Sequence, residues 1–242
     1  MQRAALGSLA VATAGSAYLA YEARRLARLY PVGPAKPYHT THKVISTVEL
    51  PARIAGKFDP KYDHYVYTTV ALPDSATRVA ANPLDAFVRA FYETWTLKVE
   101  GYTADVSKPY AEAAAEVRLH APERLDAVSA FGDGGVHVHP EAHPKAIAAG
   151  LFPIVQRSPT AVVYFLIPQL RENKLQPIDG GTQELAAVRV PGGLELSYGS
   201  TVAKDPKAPM PAWMYEVHLF YQRYLLDRSA RRLQKWIKED AK

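Results

Sequence analysis

With 242 residues, 48% of them hydrophobic and 22% charged, the chain carries enough apolar material for one full core and is too apolar to be disordered over most of its length. It has no cysteine, which excludes disulfides, thiolate metal sites and cysteine nucleophiles together. The formal charge of +5 sits at the two ends, with Arg3, Arg24, Arg25, Arg28 and Lys36 against Glu22 at one and a run of cations from Arg223 to Lys242 at the other; with no RNA- or DNA-binding signature beside it, this pattern speaks against nucleic acid and for an anionic surface near the ends.

Ala4 to Tyr21 contains no charged residue, which reaches the lower limit of a membrane-spanning helix. Ser8, Ala12, Ser16 and Ala20 place a small residue at every fourth position, as in helices that pack closely within a bilayer. A single-span anchor, a cleaved targeting segment of the mitochondrial kind and an ordinary soluble helix all fit residues 1–29. The anchor is the working expectation: it makes the protein membrane-associated and gives Ser8, Ala12 and Ser16 a partner helix. Residues 30–38 hold Pro31, Gly33, Pro34 and Pro37 and are expected to be an extended linker, followed by a single domain over residues 39–242.

Within that domain, His42 to Leu50 and His64 to Leu72 are strand-like by their β-branched and aromatic content. Asn82-Pro83 opens the first helix of the body, with Asn82 as N-cap; Leu84, Phe87, Val88, Phe91 and Trp95 then recur at spacings of three and four, giving one apolar face. Short strands are expected at Ala115–His120, Asp126–Phe131 and Val136–His139, with Gly132-Asp133-Gly134-Gly135 as a turn and a short helical turn from Lys145 to Phe152. Thr160 to Ile167 is a continuous apolar run between prolines and reads as a central strand. A loop through Pro177 and Asp179-Gly180-Gly181 leads into the clearest local structure, a hairpin from Gln183 to Val202 about Pro191-Gly192-Gly193. From about Met210 to Lys238 a long amphipathic helix follows; its early, apolar half is expected to dock on the sheet and its later, basic half to project.

His137 and His139, two apart on a strand, point to one side, so they could present two imidazoles to one metal with His143 or Glu141 as a third ligand; solvent-facing histidines beside a turn explain the same residues without it. Ser158 and Ser200 lack a local context that would activate a nucleophile, and Arg157 and Arg189 read as structural or as anion contacts. The carboxylates Asp133, Asp179 and Glu184 converge only if the fold brings them together. No motif calls for a cofactor.

The order of strands, one helix, several antiparallel strands and a long C-terminal helix, over Thr40 to Ile237, resembles the helix-grip pattern of START-like lipid-binding and cyclase proteins. The resemblance implies an α+β fold: a curved antiparallel sheet of six to eight strands with a core helix and a long C-terminal helix, here preceded by the N-terminal apolar helix. It also implies an apolar cavity between sheet and helix, with Phe91, Trp95, Trp213, Val217, Phe220, Tyr221 and Tyr224 as ligand contacts. The Phe87-x-x-Ala90-Phe91-x-x-x-Trp95 helix is similar to one in uncharacterised fungal proteins, a likeness that implies no activity. The expected function is a membrane-tethered domain that binds an apolar small molecule or lipid. A cofactor-free cyclase, isomerase or thioesterase-like enzyme and a scaffold of an organelle membrane are the alternatives.

Overall fold

The structure, a computed structural model, describes residues 18–39, 64–94, 96, 154–166, 178–204 and 211–242. They form helix α1 (18–29), strand β1 (Val32–Gly33), strand β2 (His64–Val70), helices α2 (Thr77–Ala81) and α3 (Pro83–Tyr92), strands β3 (Ile154–Arg157), β4 (Ala161–Leu166), β5 (Ile178–Val190) and β6 (Gly193–Lys204), and helix α4 (Ala212–Asp240). Among the described residues the six strands make one antiparallel sheet in the order β1-β2-β6-β5-β4-β3. The strands expected at 42–50, 115–120, 126–131 and 136–139 and the helical turn at 145–152 lie outside the described residues, as do Ser8, Ala12 and Ser16.

The β5–β6 hairpin is the sheet's longest pairing. Pro191 and Gly192 close it, and Gly192 sits at φ 88°, a conformation glycine reaches without a Cβ penalty and the one a Pro-Gly turn requires at its second position. β5 starts earlier than the sequence suggests. Asp179-Gly180-Gly181, expected as loop, is drawn into the ladder with a register shift between Ile178 and Gly180; pairing with β6 overrides the local turn chemistry and the bulge absorbs the misfit. β4 takes its expected inner place between β3 and β5, with Ala161, Val162 and Val163 buried on both faces. β3 carries no sequence signal stronger than Ile154-Val155 and was not anticipated.

Strand alternation sorts the sheet into two faces. One bears Val66, Val70, Leu185, Leu194, Leu196 and Tyr198 and packs against α3 and α4. Leu84, Phe87, Val88 and Phe91 supply the α3 side of this core, and Phe91 meets Tyr198 edge to face at 5.0 Å between ring centres. Pro83 stands at the first position of α3 as expected, but the Asn82 side chain makes no capping hydrogen bond. Here the proline fixes φ at the helix start and removes one of the orphan N–H groups.

Helix α4 departs from the expectation in its later half, which stays on the domain, and in the face its first turns bury. Leu219, Leu226, Ala230, Leu233 and Ile237 carry the buried stripe through the later half, whereas Trp213 and Val217 near its start are 64% and 57% exposed. The basic residues of the later half do not project it from the domain, because Arg228, Arg231, Lys235 and Lys238 fall on the side opposite the stripe. Arg232 also donates to the Glu93 carbonyl at 2.6 Å, and Asp240 Oδ2 accepts the N–H groups of Arg78 and Val79, capping the first turn of α2.

The N-terminal segments differ likewise. Residues 30–38 are extended, but they do not stand off as a linker: Val32 and Gly33 pair with Val66 and Tyr65, and the chain beyond lies across the sheet. α1 rests on α4, with Leu26 and Tyr30 buried. Tyr30 donates to the buried Asp227 at 2.7 Å, and Arg25 and Arg231 reach the same carboxylate at 3.4 and 3.0 Å. Burial pushes the Asp227 carboxyl up, but these three donors outweigh it and hold it below the usual range. No helix among the described residues is long and apolar enough to cross a membrane.

Gly199, paired with Tyr65, has no room for a side chain: a Cβ there would lie 2.2 Å from the Tyr65 ring. Gly199→Ala should therefore destabilise the fold by about 1–3 kcal/mol. In a Tyr65→Ala background the same substitution should cost far less, measured as a double-mutant cycle in urea; equal costs in both backgrounds would contradict the close approach.

Candidate functional site

At one level of the sheet the core turns from apolar to polar. His64, Ser200 and Gln183 are register partners across β2, β6 and β5, so they share the helix-facing side. One turn of α4 lies against this row with Tyr215, His218 and Gln222, residues spaced three and four apart. His64 Nε2 meets Gln222 Oε1 at 2.6 Å, Gln222 Nε2 donates to Ser200 Oγ at 2.5 Å, and Ser200 Oγ meets His218 Nε2 at 2.9 Å. His64, Ser200 and Gln222 are buried, while His218 is partly exposed.

The donors fix the direction of this chain. Gln222 Nε2 can only donate, so the Ser200 hydroxyl accepts it and turns its own proton to His218 Nε2. His218 is thus a neutral ring with its proton on Nδ1, and His64 gives its Nε2 proton to Gln222. Burial, with the neighbouring His64, pulls His218 down from 6.5 to about 4, in keeping with an imidazole that accepts. Chemically, the row offers a serine hydroxyl polarised by an adjacent base on a partly exposed imidazole.

The opposite face holds a second polar cluster one residue along each strand. Tyr65, on β2, donates to Glu184 Oε2 on β5 at 2.7 Å, and Glu184 is 0% exposed. The segment after β1 closes over it. His39 stacks on the Tyr65 ring at 3.8 Å, accepts the Lys36 N–H at Nδ1 and therefore donates from Nε2 to Ser197 at 2.9 Å. Glu195 receives Lys36 Nζ at 2.6 Å and the Tyr38 hydroxyl at 2.7 Å. Burial pushes Glu195 up, but these two bonds hold it below the usual carboxylate range. Burial also lowers His39 to about 4. Here side chains and strap satisfy one another, which suits a structural lock.

The residues named from sequence are spread apart. Phe91 is inside the core. Trp213 and Val217 lie on the side of α4 away from Tyr215, His218 and Gln222, and Phe220 and Tyr224, half-buried and stacked on each other at 6.4 Å, continue that outer line. Tyr221 is half-buried. Trp95, His137, His139, His143 and Asp133 lie outside the described residues, and nothing is described of the Arg157 and Asp179 side chains. Among the described residues no group of three His, Cys, Asp or Glu could hold a metal ion. Ser158 binds the backbone of its own turn, and Arg189 donates to the Ala80 carbonyl at 2.7 Å. Ser200, without context in the sequence, gains its histidine only through the fold. The signal that marks the row is polarity out of pattern: Gln222 falls in the buried stripe of α4, three residues beyond Leu219 and four before Leu226.

Since His218 and His39 bind protons near 4 when folded and near 6.5 when unfolded, the unfolded chain takes up protons first as pH falls. Stability should therefore be flat above neutrality and decline from about pH 6.5 towards 4. Asp227 and Glu195, held low, lose their contribution only at more acid pH. Urea midpoints at pH 7.5 and 5 test this. His218→Gln should flatten the decline; an unchanged pH slope would contradict the burial of a neutral His218.

No protein-family model matches the chain, and no curated protein matches it. Among solved structures it is similar to Ara h 8.0201, with 12% identity, a TM-score of 0.34, and 71% of this chain and 96% of that one covered. It is also similar to the di-domain ARO/CYC StfQ from the steffimycin biosynthetic pathway, with 17% identity and a TM-score of 0.27 over 36% of this chain. The chain spans 30% of the StfQ chain. The likeness to fungal proteins has no counterpart in these comparisons.

Proposed function

We propose that the chain binds an apolar small molecule or lipid bearing a polar head, taken up between the sheet and the first turns of α4. The observation that carries this reading is the row of His64, Gln222, Ser200 and His218 at the end of the apolar interface. A ligand lying against the early part of α4 would find apolar surface from Tyr215 and Leu219 and a head-group partner in the partly exposed His218 ring. Ligand sites have this character: an apolar wall with a few convergent polar groups that fix orientation. Trp95 and Tyr221 remain proposed contacts of the same ligand, whereas Trp213, Val217, Phe220 and Tyr224 lie on the side of α4 away from this row.

A second reading is cofactor-free acid–base catalysis on such a molecule, of the cyclase, isomerase or thioesterase kind. It is favoured by the hydrogen bond from the Ser200 hydroxyl to a neutral His218 at 2.9 Å. The two readings use the same row and differ in whether the bound molecule turns over.

Titration with oleate, followed by calorimetry, tests the binding reading. His218→Phe keeps an aromatic ring but removes the polar contact, and should weaken oleate about tenfold, the loss of one hydrogen bond to a charged head. Affinity for methyl oleate should change little. Equal oleate affinity in the folded variant would sink the reading. If instead an acyl thioester is hydrolysed and Ser200→Ala lowers that rate by roughly a hundredfold or more, the catalytic reading holds.

A further inference from the structure

We infer that the outer face of α1 docks on an anionic lipid surface. α1 turns Leu26 and Tyr30 into the domain and is pinned there by the Asp227 carboxylate. Its other side carries Tyr18, Tyr21, Arg24 and Arg28, which at steps of three and four residues form a single stripe. Tyr18 and Tyr21 are 60% and 63% exposed. Leu19 and Leu29 on the same helix are also more than half exposed, so the exposed apolar side chains gather on this helix.

Charge decides the occupant. Arg24 and Arg28 are exposed and meet no acidic partner among the described residues. Arg231, on the neighbouring turn of α4, shares its only described carboxylate, Asp227, with Arg25 and keeps most of its side chain in solvent. Tyrosines stand at the depth of lipid headgroups with the ring in the apolar boundary and the hydroxyl in water, and arginines extend beside them to phosphate and carboxylate groups. An apolar protein partner would leave the two arginines desolvated without acids, whereas an anionic bilayer neutralises them and accepts the tyrosines together. The helix is held flat against the domain by Asp227, so this contact is tangential to the bilayer and requires no membrane-spanning segment. It is independent of whatever occupies the sheet–α4 interface.

The test is flotation of the full chain with vesicles of phosphatidylcholine alone and of phosphatidylcholine with phosphatidylserine. The chain should float with the anionic vesicles and only weakly with the neutral ones, and added salt should release it as the Debye length shortens. Arg24→Ala with Arg28→Ala should weaken binding about thirtyfold, roughly fivefold for each cation removed at the surface. Both side chains are exposed, so circular dichroism and the unfolding midpoint should be unchanged. Tyr18→Ser with Tyr21→Ser should weaken binding while leaving its salt dependence intact. Undiminished binding by the arginine variant, or equal binding to neutral vesicles, would overturn the assignment, as would loss of binding only with loss of fold.

Discussion

The register of the β5–β6 hairpin is the constraint on which the rest of the structure depends. Because successive strand residues face opposite ways, a slip of one position would exchange the faces of every residue on β5. In the observed register Leu185 and Ala187 join the core with Leu196 and Tyr198, Gln183 stands beside Ser200, and Glu184 beside Gly199. β2 then reads off the same register, bringing His64 opposite Ser200 and Tyr65 opposite Gly199. Two polar clusters on two faces follow from one pairing. The Pro191-Gly192 turn sets it, and the missing side chain at Gly199 leaves space for the Tyr65 ring that reaches Glu184.

Elements whose identity is written locally were legible. The hairpin has its turn residues and alternation, β4 its proline-bounded apolar run, α3 its Pro83 start and period, and α4 its length. The face that α4 buries, and the docking of its later half, were not. Trp213, Met214, Val217 and Phe220 look like the buried end to any apolarity count, yet what decides burial is a stripe in phase with the sheet, and the sparser leucines at 219, 226 and 233 have that phase. Residues 30–38 misled for a similar reason. Proline and glycine forbid helix but do not forbid an edge strand, where a missing N–H costs nothing if it faces solvent.

The candidate row was the least legible feature, since only His218 and Gln222 are near neighbours in the chain, Ser200 lies 18 residues before His218 and His64 far earlier, and the four belong to two strands and a helix. His64, Ser200, His218 and Gln222 each look ordinary alone. Their meaning lies in hydrogen-bond direction, which only placement reveals: an amide oriented by one imidazole hands a serine hydroxyl to another. The same holds for Asp227, whose three donors come from α1, the residue after it and α4, and which ties the basic N-terminal segment to the basic C-terminal helix. The two cationic ends that composition shows separately meet at this carboxylate through Arg25 and Arg231.

Histidine side-chain nitrogen resonances, followed by NMR at pH 6 while oleate is added, test the central claim most directly. The account predicts that His218 is neutral with its proton on Nδ1 before addition, and that the signals of His218 and His64 shift together and saturably as the ligand enters. Oleate binding that leaves both rings unmoved, or a His218 already protonated at pH 6, would contradict it.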